Sequence, residues 1–223
     1  MDTKIASDFY NNAGVLEENA PFSERSTMLI DRIRNQCEKL IFPNARTLEI
    51  GCGNGRYSFE FEKMGAVATG IDCAGDIIDY AKDFAVKTHS TATFITGDAL
   101  DMPFSAEYFD LVFLISNNIV EFSYDDVDTL CKQSCRVLKQ TGVFCVSMND
   151  MIVKWNGTQR DLGNYSFVSG QITDCYNIPD KGAYLYHSYF WTVAIAKYIF
   201  TKYFRNVTVR QTDSMRFWIE CRK

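Results

Sequence analysis

Apolar positions recur at helical spacing from residue 23 to 41, where Leu29, Ile33, Cys37 and Leu40 fall on one face with charges between them and Pro43 ends the run. From there two kinds of segment alternate. Short apolar runs at 47–50, 66–71, 92–95, 109–115 and 143–148 read as strands, and the Phe, Leu, Val and Ile of 109–115 are typical of one covered on both faces. Between them lie amphipathic stretches at 56–64, 76–86 and 125–138. Ile77, Ile78, Ala81 and Phe84 form the apolar face of the second; Val127, Leu130, Cys131 and Val137 form that of the third. Gly65 and Gly142 follow the first and third as stop signals. Five strands separated by helices predict a parallel, doubly wound α/β sheet, because parallel neighbours need crossovers that are right-handed almost without exception.

The alternation stops at Asp150. Residues 151–191 are rich in β-formers punctuated by Gly157, Gly163, Gly170, Pro179 and Gly182, which predicts short antiparallel strands. Residues 194–204 read as a helix, and 207–210 and 217–221 as a closing hairpin that brings one antiparallel strand into the sheet. The 223 residues thus divide into a helical cap (1–46), an α/β core (47–150), a β-rich lid (151–191), and a helix with a strand pair that completes the sheet (192–223).

In such sheets ligands bind beyond the carboxyl ends of the strands, and the polar motifs of this chain cluster there. The first is LEIGCGNG, Leu48 to Gly55, in which Gly51, Gly53 and Gly55 allow a sharp turn and close approach of a ligand to bare backbone. The dinucleotide fingerprint demands a further glycine or alanine at position 56, where this chain has Arg56, and no phosphate-loop lysine follows. A ligand without a pyrophosphate is therefore favoured over NAD or FAD. Asp72 stands 21 residues after Gly51 at the tip of the second strand, the place where an acid receives two ribose hydroxyls. Asp98, just past the third strand, can accept from an adenine amino group while the Ala99 N–H meets a ring nitrogen; it can equally cap the short segment that follows.

Taken together, LEIGCGNG, GID at 70–72, GDALDMPF at 97–104 and FDLVFLISNN at 109–118 resemble the class I S-adenosylmethionine-dependent methyltransferases, in the family's order and spacing, over residues 47–150. The resemblance implies a mostly parallel seven-stranded sheet and a methyl donor, S-adenosylmethionine, held across the first four strand ends. It places Gly51, Cys52 and Gly53 under the methionine part with Glu49 near its amino group, Asp72 and Cys73 at the ribose, Asp98 and Ala99 at the adenine, and the Ile115 backbone beside the donor. Arg25 is a candidate partner for the donor carboxylate. In-line transfer from an activated sulfonium needs positioning and water exclusion before it needs a base.

The acceptor side is thinner. Asn117 matches a position that often faces the acceptor in small-molecule members of the family. Glu121 is a carboxylate that can take a proton or attract an amine, or simply stabilise a helix start. His187, flanked by tyrosines, is a candidate general base, with packing among aromatics as its ordinary alternative. Tyr10 lies in the N-terminal segment that resembling enzymes fold over the donor. The late aromatics Trp155, Tyr165, Phe167, Tyr176, Tyr184, Tyr186, Tyr189, Phe190 and Trp191 suit enclosure of a small apolar or cationic acceptor, or a dimer face.

Composition narrows the partners. A net charge of −5 argues against a sequence-independent hold on nucleic acid. No secretory signal and no apolar stretch long enough to span a bilayer is present, so a soluble, cytoplasmic monomer or homodimer is expected. The eight cysteines form no C-x-x-C pair, and with two histidines in the chain they read as reduced thiols, not a metal site. The expectation is methyl transfer to a nitrogen or oxygen of a small molecule; an RNA or protein methyltransferase, or a donor-binding protein without activity, are the alternatives.

Overall fold

The computed structural model describes residues 3–13, 21, 23–152, 165–166, 169–178 and 180–223. Strand β1 (Arg46–Ile50) is buried along four of its five residues, and β4 (Phe109–Leu114) along five of six, as strands flanked by helices on both faces must be. With β2 (Val67–Asp72), β3 (Thr93–Thr96) and β5 (Leu138–Asn149) they form the parallel part of a seven-stranded sheet. The order is β3-β2-β1-β4-β5-β9-β8, where β8 is Asn206–Gln211 and β9 is Arg216–Arg222. The hairpin β8–β9 inserts β9 antiparallel against β5, so the expected antiparallel strand lies between β5 and β8.

Alternation along each strand divides the core in two. Leu48, Ile50, Val112, Leu114, Phe144 and Val146 face one side, where α5 (Tyr124–Val137) and α6 (Val193–Phe200) pack. Leu111, Phe113, Cys145 and Trp218 face the other, covered by α2 (Glu24–Cys37), α3 (Arg56–Lys63) and α4 (Gly75–Thr88). Polar caps fix where the helices begin: the Ser123 hydroxyl accepts from the Asp126 N–H while the Asp126 carboxylate accepts from the Ser123 N–H, and at the start of α2 the Ser23 hydroxyl accepts from the Ser26 N–H. All eight cysteines are free thiols.

At Gly142 the sequence reading is corrected. Helix α5 ends at Val137, and β5 begins at once with Leu138, pairing with Phe109 before the register shifts and Leu111 meets Val143. Gly142 therefore lies inside the strand and does not cap the helix. Its hydrogen-only side allows the irregular ladder to close, since a Cβ there would come within 2.7 Å of Leu138 Cδ2 and 3.1 Å of the Asp110 carbonyl.

Outside the sheet, β6 (Gln171–Ile178) and β7 (Gly182–Tyr189) form a separate antiparallel hairpin. It packs against α1 (Thr3–Ala13) and against a 3-10 turn at Asn118–Glu121 that follows β4. Trp191 anchors the exit of this hairpin: its ring is fully buried, its Nε1 donates to the Phe122 carbonyl at 2.9 Å, and Tyr124 meets it edge to face at 4.8 Å. Trp155 and Phe167, and the punctuating Gly157, Gly163 and Pro179, lie outside the described residues.

Candidate functional site

Beyond the carboxyl ends of β1, β2, β3 and β4 lies a cavity of about 360 Å³, roofed by α1. This volume is within the range typical of small-ligand sites. The glycine loop forms its floor. Gly51, Gly53 and Gly55 have φ of +66°, +52° and +83°, a region that glycine enters without strain. The Gly51 and Cys52 N–H groups both donate to the Ile71 carbonyl, which folds the loop back over β2. A Cβ at Gly51 would stand 2.7 Å from the Asn118 side-chain nitrogen.

Asp72 closes the next turn. Its Oδ2 accepts from the Gly53 N–H at 2.8 Å and its Oδ1 from the Ala74 N–H at 2.9 Å, and the Cys73 N–H and thiol also donate to the carboxylate, so both oxygens are held in place. Burial raises its pKa, and the backbone donors partly offset that. Glu49 is 1% exposed, and burial pushes it up to about 8 despite a 2.6 Å hydrogen bond from the Ser58 hydroxyl. A buried carboxyl in this state is poised to ionise when a cation settles beside it.

Of the residues singled out in the sequence, Tyr10, Arg25, Glu49, Gly51, Cys52, Gly53, Asp72, Cys73, Ala99 and Glu121 line this one cavity. Four others are placed elsewhere. Asp98 spends an oxygen on the Leu100 N–H at 2.8 Å, the capping role that was its alternative, while Gly97 and Ala99 on either side of it reach the cavity. Ile115 is fully buried, and its carbonyl accepts from the Asn118 N–H. Asn117 has a φ of +68° and ties β4 to β5, its Oδ1 accepting from the Asn149 N–H at 2.8 Å. His187 sits on β7 one residue from Tyr186, and successive strand residues face opposite ways; its Nδ1 is buried without a partner among the described residues.

Among the lining residues that were not read from the sequence as contacts, Asn118, Arg56 and Phe9 bear on the chemistry. Asn118, the neighbour of Asn117, turns its amide into the cavity and donates to the Gly51 carbonyl at 2.8 Å. Successive positive φ angles at Ser116 and Asn117 reverse the chain and exchange the faces of the two asparagines. Arg56, which in the sequence only argued against a dinucleotide, lines the cavity with Arg25, and its Nη1 is buried with no hydrogen-bond partner among the described residues. Phe9 enters from α1.

Glu121 is the junction of three segments. Tyr10 of α1 donates to its Oε1 at 2.7 Å, and Tyr186 of β7 donates to the same oxygen. Burial raises its pKa to about 7, the two phenols pull it down, and the Asp72 carboxylate pushes it up. Around it Phe9 lies 5.1 Å from the Tyr10 ring and 5.0 Å from the Tyr186 ring. Among the described residues the hairpin meets the cavity through this contact, whereas α1 supplies the lining itself.

The site's chemistry is a set of complements. Two guanidinium groups and a neutral buried carboxyl suit a zwitterionic amino-acid group. A fixed bidentate carboxylate suits a vicinal diol, and the backbone at Gly97–Ala99 suits a flat ring.

A methyltransferase-domain family model matches residues 47–142. The ubiquinone biosynthesis O-methyltransferase of Bartonella tribocorum is 25% identical over 160 residues, covering 69% of this chain and 64% of that protein. The chain thus spans less than two thirds of that relative's length. Among solved structures, the PH0226 protein of Pyrococcus horikoshii OT3 superposes with a TM-score of 0.78 at 21% identity, covering 97% of this chain and 99% of that one. A complex described as DhpI-SAM-HEP gives 0.73 at 14% identity, covering 100% of this chain and 99% of that one.

Proposed function

We propose that this chain, whose residues 47–142 match a methyltransferase-domain model, transfers a methyl group from S-adenosylmethionine to a nitrogen or oxygen atom of a small molecule. The observation that carries this reading is the order of complementary groups along the carboxyl edge of the sheet. Ala99 follows β3, Asp72 ends β2, the glycine loop follows β1, and Glu121 follows β4; the sheet sets these strands side by side in the order β3-β2-β1-β4. Adenine, ribose, methionine and acceptor are assigned in that order. Arg25 and Arg56 hold the donor's carboxylate and Glu49 its ammonium, which draws the proton off Glu49. Asp72 receives the ribose hydroxyls, and Asn118 braces the glycine loop from below.

The donor supplies an electrophilic methyl carbon; the protein's task is to align the acceptor behind it and to keep water out. Helix α1 does the latter, placing Ala6, Phe9 and Tyr10 over the cavity. The net charge of −5 favours a small acceptor over RNA.

Incubating the protein with methyl-tritiated donor and a panel of amines, phenols, carboxylates, bulk RNA and unfolded protein tests this. Label on a small molecule is the expected result; label confined to RNA or protein, or to none of the panel, counts against it.

A further inference from the structure

A carboxyl fed by two phenols presents its two oxygens unequally. Both tyrosine hydroxyls converge on Glu121 Oε1, and Oε2 has no donor among the described residues although the side chain lines the cavity. Whatever binds there is invited to bring a donor of its own. The rings that share this part of the site, Phe9 and Tyr10, add faces that attract a cation. The arginines that line the cavity, Arg25 and Arg56, are assigned above to the donor carboxylate.

We propose that the methyl acceptor is a small primary or secondary amine whose nitrogen is bound, and relieved of its proton, by Glu121 Oε2. This rests on the reading of the chain as a methyltransferase. An amine reaches the site as an ammonium ion, attracted by the carboxylate and the rings. Glu121 takes one proton, which frees the nitrogen lone pair. That pair forms the bond to the methyl carbon as the carbon–sulfur bond breaks, its electrons leaving with sulfur as a neutral thioether. The methylated nitrogen emerges as an ammonium group, so charge and atoms balance: one proton rests on the carboxyl, and the positive charge of the sulfonium has moved to nitrogen.

A base for this step works best when its pKa is near the working pH, and burial brings the Glu121 acid to about 7. The groups facing it are the Tyr10 hydroxyl on α1, the Tyr186 hydroxyl on β7, the Asp72 carboxylate at the end of β2 and the Cys73 thiol beside it. Both phenols have raised pKa values, chiefly by burial, and remain neutral donors through this range. Glu121 is thus the group whose ionisation sets the profile.

The same geometry defines the test. In Glu121→Gln the tyrosine hydroxyls still require an acceptor, which holds the amide oxygen at the Oε1 position and leaves the NH2 where Oε2 was. The change therefore replaces an acceptor by a donor on the cavity side alone. Methyl transfer from tritiated donor is measured on benzylamine and 2-phenylethylamine, against phenol, benzyl alcohol and benzoate. Binding of each probe is measured on protein loaded with S-adenosylhomocysteine.

The expected result is label on the amines, with kcat/KM rising with pH through about 7 and falling about a hundredfold in Glu121→Gln while S-adenosylhomocysteine affinity is kept. In Tyr186→Phe, which removes a phenol that lowers the acid's pKa, the midpoint moves to higher pH; a merely structural Glu121 would leave it in place. Label on phenol or benzoate in preference to the amines, equal amine turnover by Glu121→Gln, or no amine binding to the loaded protein overturns the proposal. Failure of the wild type to bind S-adenosylhomocysteine removes the methyltransferase reading beneath it and is distinguished from these by that separate titration.

Discussion

Replacing Asp72 by asparagine keeps the shape of the side chain and removes one acceptor. Each carboxylate oxygen already takes a backbone N–H, from Gly53 at 2.8 Å and from Ala74 at 2.9 Å. Whichever way the amide turns, its NH2 faces one of those N–H groups, and a charge-assisted bond worth about 1.5–3 kcal/mol is lost. Relief of the buried charge, visible in the raised pKa of Asp72, offsets part of that loss in the empty protein. Net destabilisation should therefore be only about 1 kcal/mol, or roughly 2–4 °C in Tm for a chain of this size.

Binding has no such offset. A ribose diol meets one acceptor where it had two, and the second position now repels it, so affinity for S-adenosylhomocysteine should fall about a hundredfold, ~2.7 kcal/mol. Calorimetric titration of wild type and variant, with thermal melts of both, separates the two effects. An affinity within about threefold of wild type, in a variant that melts normally, would refute the assignment of Asp72 to the ribose.

Glu49 links binding to protons. Held at about 8, it is protonated at pH 7 in the empty protein, and a ligand ammonium beside it favours the carboxylate. Binding of S-adenosylhomocysteine at pH 7 should therefore release most of a proton, measured as a difference in binding enthalpy between phosphate and Tris; equal enthalpies, or an unchanged difference in Glu49→Gln, would contradict this. Because the folded value is raised, the stability tied to this acid is present below about 4.5 and is lost as pH rises toward about 8, which denaturant titrations of the empty protein across that window should register. At Gly70 in β2, an added Cβ would fall 2.6 Å from Cys52 Sγ and 2.8 Å from Cys52 Cβ. Gly70→Ala should cost about 2–3 kcal/mol and lower Tm by roughly 5–10 °C while displacing the glycine loop, and an unchanged melt would show that the loop gives way freely.

Much of the cavity's lining was legible because it is local. A strand, three glycines and an acid at the end of the next strand constrain one another through backbone geometry, and Asp72 and the loop meet through the Gly53 N–H. What escaped the sequence depends on angles and distant contacts. Asn117 and Asn118 are chemically identical neighbours, and only the pair of positive φ angles at Ser116 and Asn117 decides which one faces the cavity. Arg56 was informative for what it excluded, yet its position at the first turn of α3 also carries its side chain into the site. The meeting of Tyr10, Glu121 and Tyr186 spans separations of 111 and 65 residues and follows from how α1 and the hairpin pack, which no local pattern records. Gly142 looked like a helix stop because a glycine after an amphipathic run commonly is one; here the helix ends earlier and the glycine serves an irregular strand pairing.

Calorimetric titration of the purified wild-type chain with S-adenosylhomocysteine is the most direct test of the central claim, that the cavity beyond β1 to β4 holds the methyl donor. A one-to-one isotherm with a dissociation constant of about 1–100 μM is the expected result. An absence of heat beyond dilution up to about 1 mM ligand, from protein shown to be folded, would contradict it.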